Sequence, residues 1–165
     1  MKIGFIGLGN MATAIIGGLL REDTTLSSED GNATVITAAN IIGSAKTEAT
    51  RQKRAEQFGI AVTASNREVA EAADVLVLAV KPQFFPEVIA EIRDAVSENT
   101  LVISIAAGLT LERIAGLFDR NVTTMRLIRC MPNTPALINA GCTAVVPGPG
   151  ATEADEALCL RLMES

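Results

Sequence analysis

Lys2-Ile3-Gly4-Phe5-Ile6-Gly7-Leu8-Gly9-Asn10-Met11-Ala12 opens the chain, and its reading decides the fold. Ile3 to Ile6 is a short apolar run of the kind that forms a buried strand, and residues 11–20 carry the spacing of a helix. Between them, Gly7-Leu8-Gly9-Asn10-Met11-Ala12 fits G-x-G-x-x-A. In that pattern the first glycine allows a tight turn, the second lets main chain approach a diphosphate, and the small third residue lets the helix pack close. The amides of the helix start, with the positive end of the helix dipole behind them, then face the anion. A strand before the motif and a helix after it make a dinucleotide site the expected meaning of Gly7, Gly9 and their neighbours Ile6, Leu8, Asn10 and Met11.

The same alternation continues outward. Strands are expected at residues 40–44, 61–63, 75–80, 101–105, 123–130 and 142–146, separated by helices at 47–58, 67–73, 86–96 and 111–118. Thr47 and Thr110 read as helix caps and Gly59 as a helix stop. Strand-helix alternation requires parallel pairing with right-handed crossovers. The fold class expected is therefore α/β: a Rossmann-like, doubly wound, mainly parallel sheet with helices on both faces. Residues 21–32, which include Glu22, Asp23, Glu29 and Asp30, read as a polar surface loop.

Pro147-Gly148-Pro149-Gly150 ends the pattern, so residues 1–150 are expected to form one nucleotide-binding domain. Beyond it, Thr152 and Asp155 read as a capping box opening a last helix. Ala157, Leu158, Cys159, Leu160, Leu162 and Met163 leave that helix few polar positions. Residues 151–165 are accordingly expected to be covered by a partner, or to begin a linker helix leading to a further domain.

Composition narrows the chemistry. The chain has 165 residues, a net charge of −5, no His, Trp or Tyr, and 48% hydrophobic but only 3% aromatic residues. It holds no Ser-His-Asp triad, Cys-His dyad or Tyr-Lys relay, and no histidine metal cage. A negative balance argues against a general grip on nucleic acid. No apolar run approaches the ~20 residues needed to span a bilayer. Cys130, Cys142 and Cys159 read as reduced thiols, and the cytoplasm is the expected compartment. No metal ligand set is expected.

In open α/β sheets the ligand lies outside the carboxyl ends of the strands. The second strand ends in Ser44-Ala45-Lys46, where an NAD site usually carries an acidic residue. A hydroxyl and an ammonium there suit a 2′-phosphate, so NADP(H) is preferred, with NAD(H) second. Arg51, Lys53 and Arg54 read instead as the wet face of a helix. Further strand ends supply Ala79-Val80-Lys81-Pro82 and Ala106-Ala107-Gly108, whose small residues leave room for a flat ring. Asn133, between Pro132 and Pro135, presents an amide suited to orienting a substrate or a nicotinamide.

Taken together, residues 6–11, Ala79-Val80-Lys81-Pro82, Ala106-Ala107-Gly108 and Arg129-Cys130-Met131-Pro132-Asn133-Thr134-Pro135 resemble the pyrroline-5-carboxylate reductase family. The resemblance runs from residue 2 to about residue 163. It implies NAD(P)H-dependent reduction of a small molecule, 1-pyrroline-5-carboxylate, to L-proline. It further implies that residues 6–11 cradle the pyrophosphate, Ser44 and Lys46 lie at the adenosine 2′ position, and Asn66 contacts the adenosine ribose. Ala79, Val80, Lys81, Pro82, Ala106, Ala107 and Gly108 would line the nicotinamide half. Family members continue into a helical domain that builds a homo-oligomer and completes the substrate pocket, so the chain is expected to be truncated. No catalytic residue is assigned within it. Two other readings stand beside this one: another NADP-dependent reductase or dehydrogenase on the same nucleotide domain, or an NADP-binding module inactive alone.

Overall fold

The structure, a computed structural model, describes residues 1–21, 24–27, 33–133 and 141–164. In chain order its elements are β1 (Ile3–Ile6), α1 (Asn10–Arg21), β2 (Thr25–Ser27), β3 (Ala33–Val35), β4 (Ile41–Ser44), α2 (Glu48–Phe58), β5 (Ala61–Thr63), α3 (Asn66–Ala72), β6 (Val75–Leu78), α4 (Phe85–Ile92), β7 (Leu101–Ser104), α5 (Leu111–Leu117), β8 (Leu127–Pro132), β9 (Thr143–Pro147) and α6 (Glu153–Glu164). Seven of the strands form one sheet in the order β5-β4-β1-β6-β7-β8-β9. Every neighbouring pair is parallel except β8 and β9, which run antiparallel. The doubly wound, mainly parallel sheet expected from the sequence is thus observed.

Strand side chains alternate between two cores because successive residues face opposite sides of a sheet. Ile3, Phe5, Val75, Val77, Leu101, Ile103, Ile128 and Cys130 join α1 and α6 on one face. Ile6, Leu76, Leu78, Val102 and Leu127 meet α3, α4 and α5 on the other. Gly4 belongs to the second face, where an added Cβ would lie 2.8 Å from Val69 Cγ1 and 2.9 Å from Ala73 Cβ. The glycine lets α3 press against the middle of the sheet. Local signals act where they were read. Thr47 and Thr110 cap α2 and α5 through their side chains, and Gly59 ends α2 in the left-handed region.

Three expectations need correction. Residues 21–32 are not wholly a surface loop: β2 pairs antiparallel with β3, and Leu26, fully buried, enters the first core beside Ile36. Glu22, Asp23, Glu29 and Asp30 lie outside the described residues. The run at 75–80 leaves the strand after Leu78, and the strand expected from residue 123 begins at Leu127, after a turn. The last helix is covered in part inside this chain: Leu158, Cys159 and Leu162 pack in the first core while Leu160 remains 41% exposed. Its amphipathic face was hidden by the apolar residues that also occupy its outer side.

Two contacts hold α6 in place. Cys130 and Cys159 are buried free thiols whose sulfurs stand 3.4 Å apart. The mutual hydrogen bond, with burial added, pushes the Cys159 thiol up. At the helix start, Asp155 accepts from the Thr152 amide at 3.0 Å and Thr152 Oγ1 accepts from the Asp155 amide at 3.1 Å. That is the capping box read from the sequence. Asp155, 1% exposed, also takes both Arg126 Nε, at 3.0 Å, and Arg126 Nη2. Burial pushes its carboxyl upward, yet the hydrogen bonds from Arg126 and Thr152 and the guanidinium charge prevail and hold it below the ordinary value.

A carboxyl that titrates lower in the folded state stabilises fully above about pH 4, and this stabilisation disappears as pH falls through the folded value. Asp155→Asn is expected to lower stability near neutral pH by about 2–4 kcal/mol, the scale of a buried pair with one partner removed. It should also flatten the loss of stability below about pH 4. Urea unfolding followed by circular dichroism at neutral and acid pH checks both.

Candidate functional site

The chain leaves β1, turns to β4 and β5 on one side, then crosses to β6 on the other side of β1. The carboxyl ends of strands that diverge in this way leave a crevice. Here it is a cavity of about 400 Å³ lined by Gly7, Ser44, Ala45, Lys46, Ala64, Asn66, Ala79, Val80, Lys81, Phe84, Glu87, Val88 and Glu91.

Gly7 has φ +94°, and an added Cβ would lie 2.9 Å from Val80 Cγ1 and 3.0 Å from the Ala79 carbonyl oxygen. Only glycine fits there, because both the backbone region and the space exclude a side chain. Gly9 is the opposite case: a Cβ would meet nothing within 4 Å. The first turn of α1 starts at Asn10 beside that open ground, and its leading amides have no partner within the helix. This is a fit for an anionic diphosphate by main chain, in the manner the glycine pattern implies. Ile6 and Leu8 have only backbone to offer a ligand, since both side chains are buried. Leu8 packs over Gly43, where an added Cβ would lie 2.5 Å from Leu8 Cδ2. A glycine inside an apolar strand is the sequence signal for such a close approach.

The structure brings Gly7, Ser44, Lys46, Asn66, Ala79, Val80 and Lys81 to one cavity. Gly9, Asn10, Met11 and Pro82 are not among its lining residues: Gly9 stands in the turn, Asn10 and Met11 begin α1, and Pro82 opens the 3-10 turn Pro82–Phe84. Ala106, Ala107 and Gly108 follow β7 outside the cavity, with Ala106 buried and Gly108 at φ +77°. Asn133 also lies outside it, with Oδ1 accepting from the Cys142 amide at 2.9 Å. Its carbonyl oxygen therefore joins the two ends of the segment between them. Thr134 and Pro135 lie outside the described residues.

Ser44 is 1% exposed and lies 2.7 Å, through Oγ, from Asn66 Oδ1. Lys46 is exposed, and its Nζ stands 5.4 Å from the centre of the Phe84 ring. Arg51 is not simply a solvated side chain. Its Nη1 donates to the carbonyls of Ala45 at 2.7 Å and Lys46 at 3.1 Å. Arg54 Nε reaches the Leu8 carbonyl at 3.4 Å. These arginines hold main-chain carbonyls of the loop after β4 and of the turn after β1. Phe84, Glu87, Val88 and Glu91 escaped the sequence reading, although their i, i+3, i+4, i+7 spacing marks one helical face. The sequence marks a helix at residues 86–96 without tying this face to a site.

The fold and crevice define a nucleotide-binding domain of the doubly wound type. The chain belongs to the family described as NADP oxidoreductase, coenzyme F420-dependent, whose model matches residues 2–108. It is similar to the pyrroline-5-carboxylate reductase of Escherichia coli (strain K12), 41% identical over 161 residues, covering 98% of this chain and 55% of the relative. The enzyme of the same description from Vibrio alginolyticus is 39% identical over 164 residues, covering 99% of this chain and 55% of the relative. The solved pyrroline-5-carboxylate reductase from Coxiella burnetii matches with TM-score 0.85 and 32% identity, over 99% of this chain and 55% of that one. The family resemblance read from the sequence is borne out along the chain, which spans about half the length of the curated relatives it matches. No described helix is long and apolar enough to cross a membrane.

Gly7→Ala is expected to destabilise the domain by about 1–3 kcal/mol through forced backbone strain and overpacking. Gly9→Ala should leave the melting temperature unchanged. Differential scanning calorimetry of the two variants distinguishes the structural glycine from the one that keeps space open.

Proposed function

We propose that this chain is the nucleotide-binding part of a pyrroline-5-carboxylate reductase, taking NADP(H) by preference and NAD(H) second. The observation that carries the reading is the convergence of Gly7, Ser44, Lys46, Asn66 and residues 79–81 on one cavity at the strand ends. The open Gly9 turn and the start of α1 would hold the pyrophosphate. Ser44 and Lys46 would lie at the adenosine 2′ position, and Asn66 would meet the adenosine ribose. Ala79, Val80, Lys81 and Pro82, with Ala106, Ala107 and Gly108, would border the nicotinamide half, and Asn133 would stand on the substrate side.

When bound, a reduced nicotinamide supplies a hydride to the carbon of a C=N bond. A cyclic imine accepts it readily once its nitrogen is protonated. What the protein must then provide is chiefly orientation and exclusion of water. A chain without His or Tyr meets that demand, and no side chain here is given a proton-transfer role. In this reading residues 1–150 are the nucleotide-binding domain and residues 151–165 begin a linker helix, although α6 also closes the first core. The whole protein is read as a cytoplasmic homo-oligomer acting on the small molecule 1-pyrroline-5-carboxylate rather than on nucleic acid. The exposed apolar side chains Met131, Val146 and Leu160 support the oligomer.

The 165-residue chain should change NADPH fluorescence on mixing and show no pyrroline-5-carboxylate reduction alone. Lys46→Glu is expected to weaken NADPH on the order of tenfold while sparing NADH, since the charge facing the extra phosphate is reversed. A chain that alters the fluorescence of neither coenzyme would refute the reading.

A further inference from the structure

Asn66 lies at the start of α3 with its side-chain amide held at both ends. Its Oδ1 is 2.7 Å from Ser44 Oγ on β4, and its Nδ2 is 2.8 Å from Glu91 Oε2 on α4. All three residues line the cavity. A carboxylate only accepts hydrogen bonds, so Glu91 must receive the N–H of Asn66 and thereby fixes which way the amide faces. Oδ1 then faces Ser44, and that contact is a hydrogen bond only if the Ser44 hydroxyl donates. Ser44, 1% exposed, has one hydrogen and so has it committed. What the hydroxyl has left is lone pairs.

A ribose 2′-hydroxyl has a hydrogen to give to those lone pairs. A 2′-phosphate brings further acceptor oxygens, which meet them like against like. Lys46, on the loop that follows β4, acts in the opposite direction because its ammonium favours the phosphate.

We propose that Glu91 is a positioning residue for coenzyme choice: acting through Asn66, it makes Ser44 an acceptor and tilts the cavity toward the coenzyme with a free ribose 2′-hydroxyl. The inference rests on the reading of this cavity as the adenosine end of an NAD(P) site. It makes the coenzyme preference a balance between Lys46 and the chain of contacts from Glu91 to Ser44. Glu91→Gln removes the constraint at the origin of the chain, because a carboxamide can donate to Asn66 as well as accept from it, so the amide is free to turn over and release the Ser44 hydrogen. Glu87, on the same helix face and the same cavity wall, has no place in the chain of contacts. Glu87→Gln therefore reports the loss of a negative charge alone.

The test is fluorescence titration of the 165-residue chain with NADH and with NADPH, followed as the ratio of their dissociation constants. In Glu91→Gln the ratio should move toward NADPH by about five- to tenfold, the scale of one hydrogen bond. The shift should persist from about 0.05 M to about 0.5 M salt, whereas any shift in Glu87→Gln should fade because it is a screened charge effect. In a Ser44→Ala background, Glu91→Gln should no longer move the ratio, which a merely structural role for Glu91 would not produce. An unchanged ratio in Glu91→Gln overturns the proposal. So does a shift matched by Glu87→Gln, or one that survives in Ser44→Ala. If the unaltered chain binds neither coenzyme, the reading of the cavity falls first and takes this inference with it.

Discussion

The arrangement depends on close contact between backbone and side chain around the first turn. Gly7 is pressed against Ala79 and Val80 at the end of β6, and Gly43 in β4 lies under Leu8 from the same turn. A side chain at either glycine would push the turn away from the two strands that flank β1. The crevice would then lose its wall, since Gly7, Ser44 and Ala79 are brought together by those contacts. Sheet order and site are thus one constraint: β1 sits between β4 and β6, and its turn must be thin enough to fit between their ends.

From this turn the rest follows by layers. Alternating aliphatic side chains on parallel strands divide the interior into two cores, each roofed by helices. The second of these brings α4 over the crevice with Val88 buried and Glu87 and Glu91 exposed beside the cavity. The same helix therefore serves the core with Phe85, Ile89 and Ile92 and the cavity with the residues between them.

Much of this was legible in the sequence because the signals are local. A glycine pattern after a strand, threonines before helices and runs of β-branched residues each report on a few neighbouring residues. Strand and helix alternation then restricts the topology strongly. What escaped depends on distant partners. Thr25, Leu26 and Ser27 are too short a run to announce a strand, and they form one because Ala33 to Val35 lie alongside and Leu26 has a core to enter. Arg51 resembles any surface cation until the carbonyls of Ala45 and Lys46 are seen beneath it. Glu91 looks solvated until Asn66, 25 residues earlier, turns out to be its partner. Asn133 drew notice as an amide held by prolines, but its tie to Cys142 spans nine positions and no local pattern declares it.

The arginines of α2 carry a further meaning for ligand capture. Arg51 fastens the peptide groups at residues 45 and 46, and Arg54 reaches the one at residue 8. On the proposed reading, those peptide groups would be held by the fold before a coenzyme arrives. A mouth held in that way would gain little from rearrangement, and its tightness would depend on shape and charge settled before the encounter.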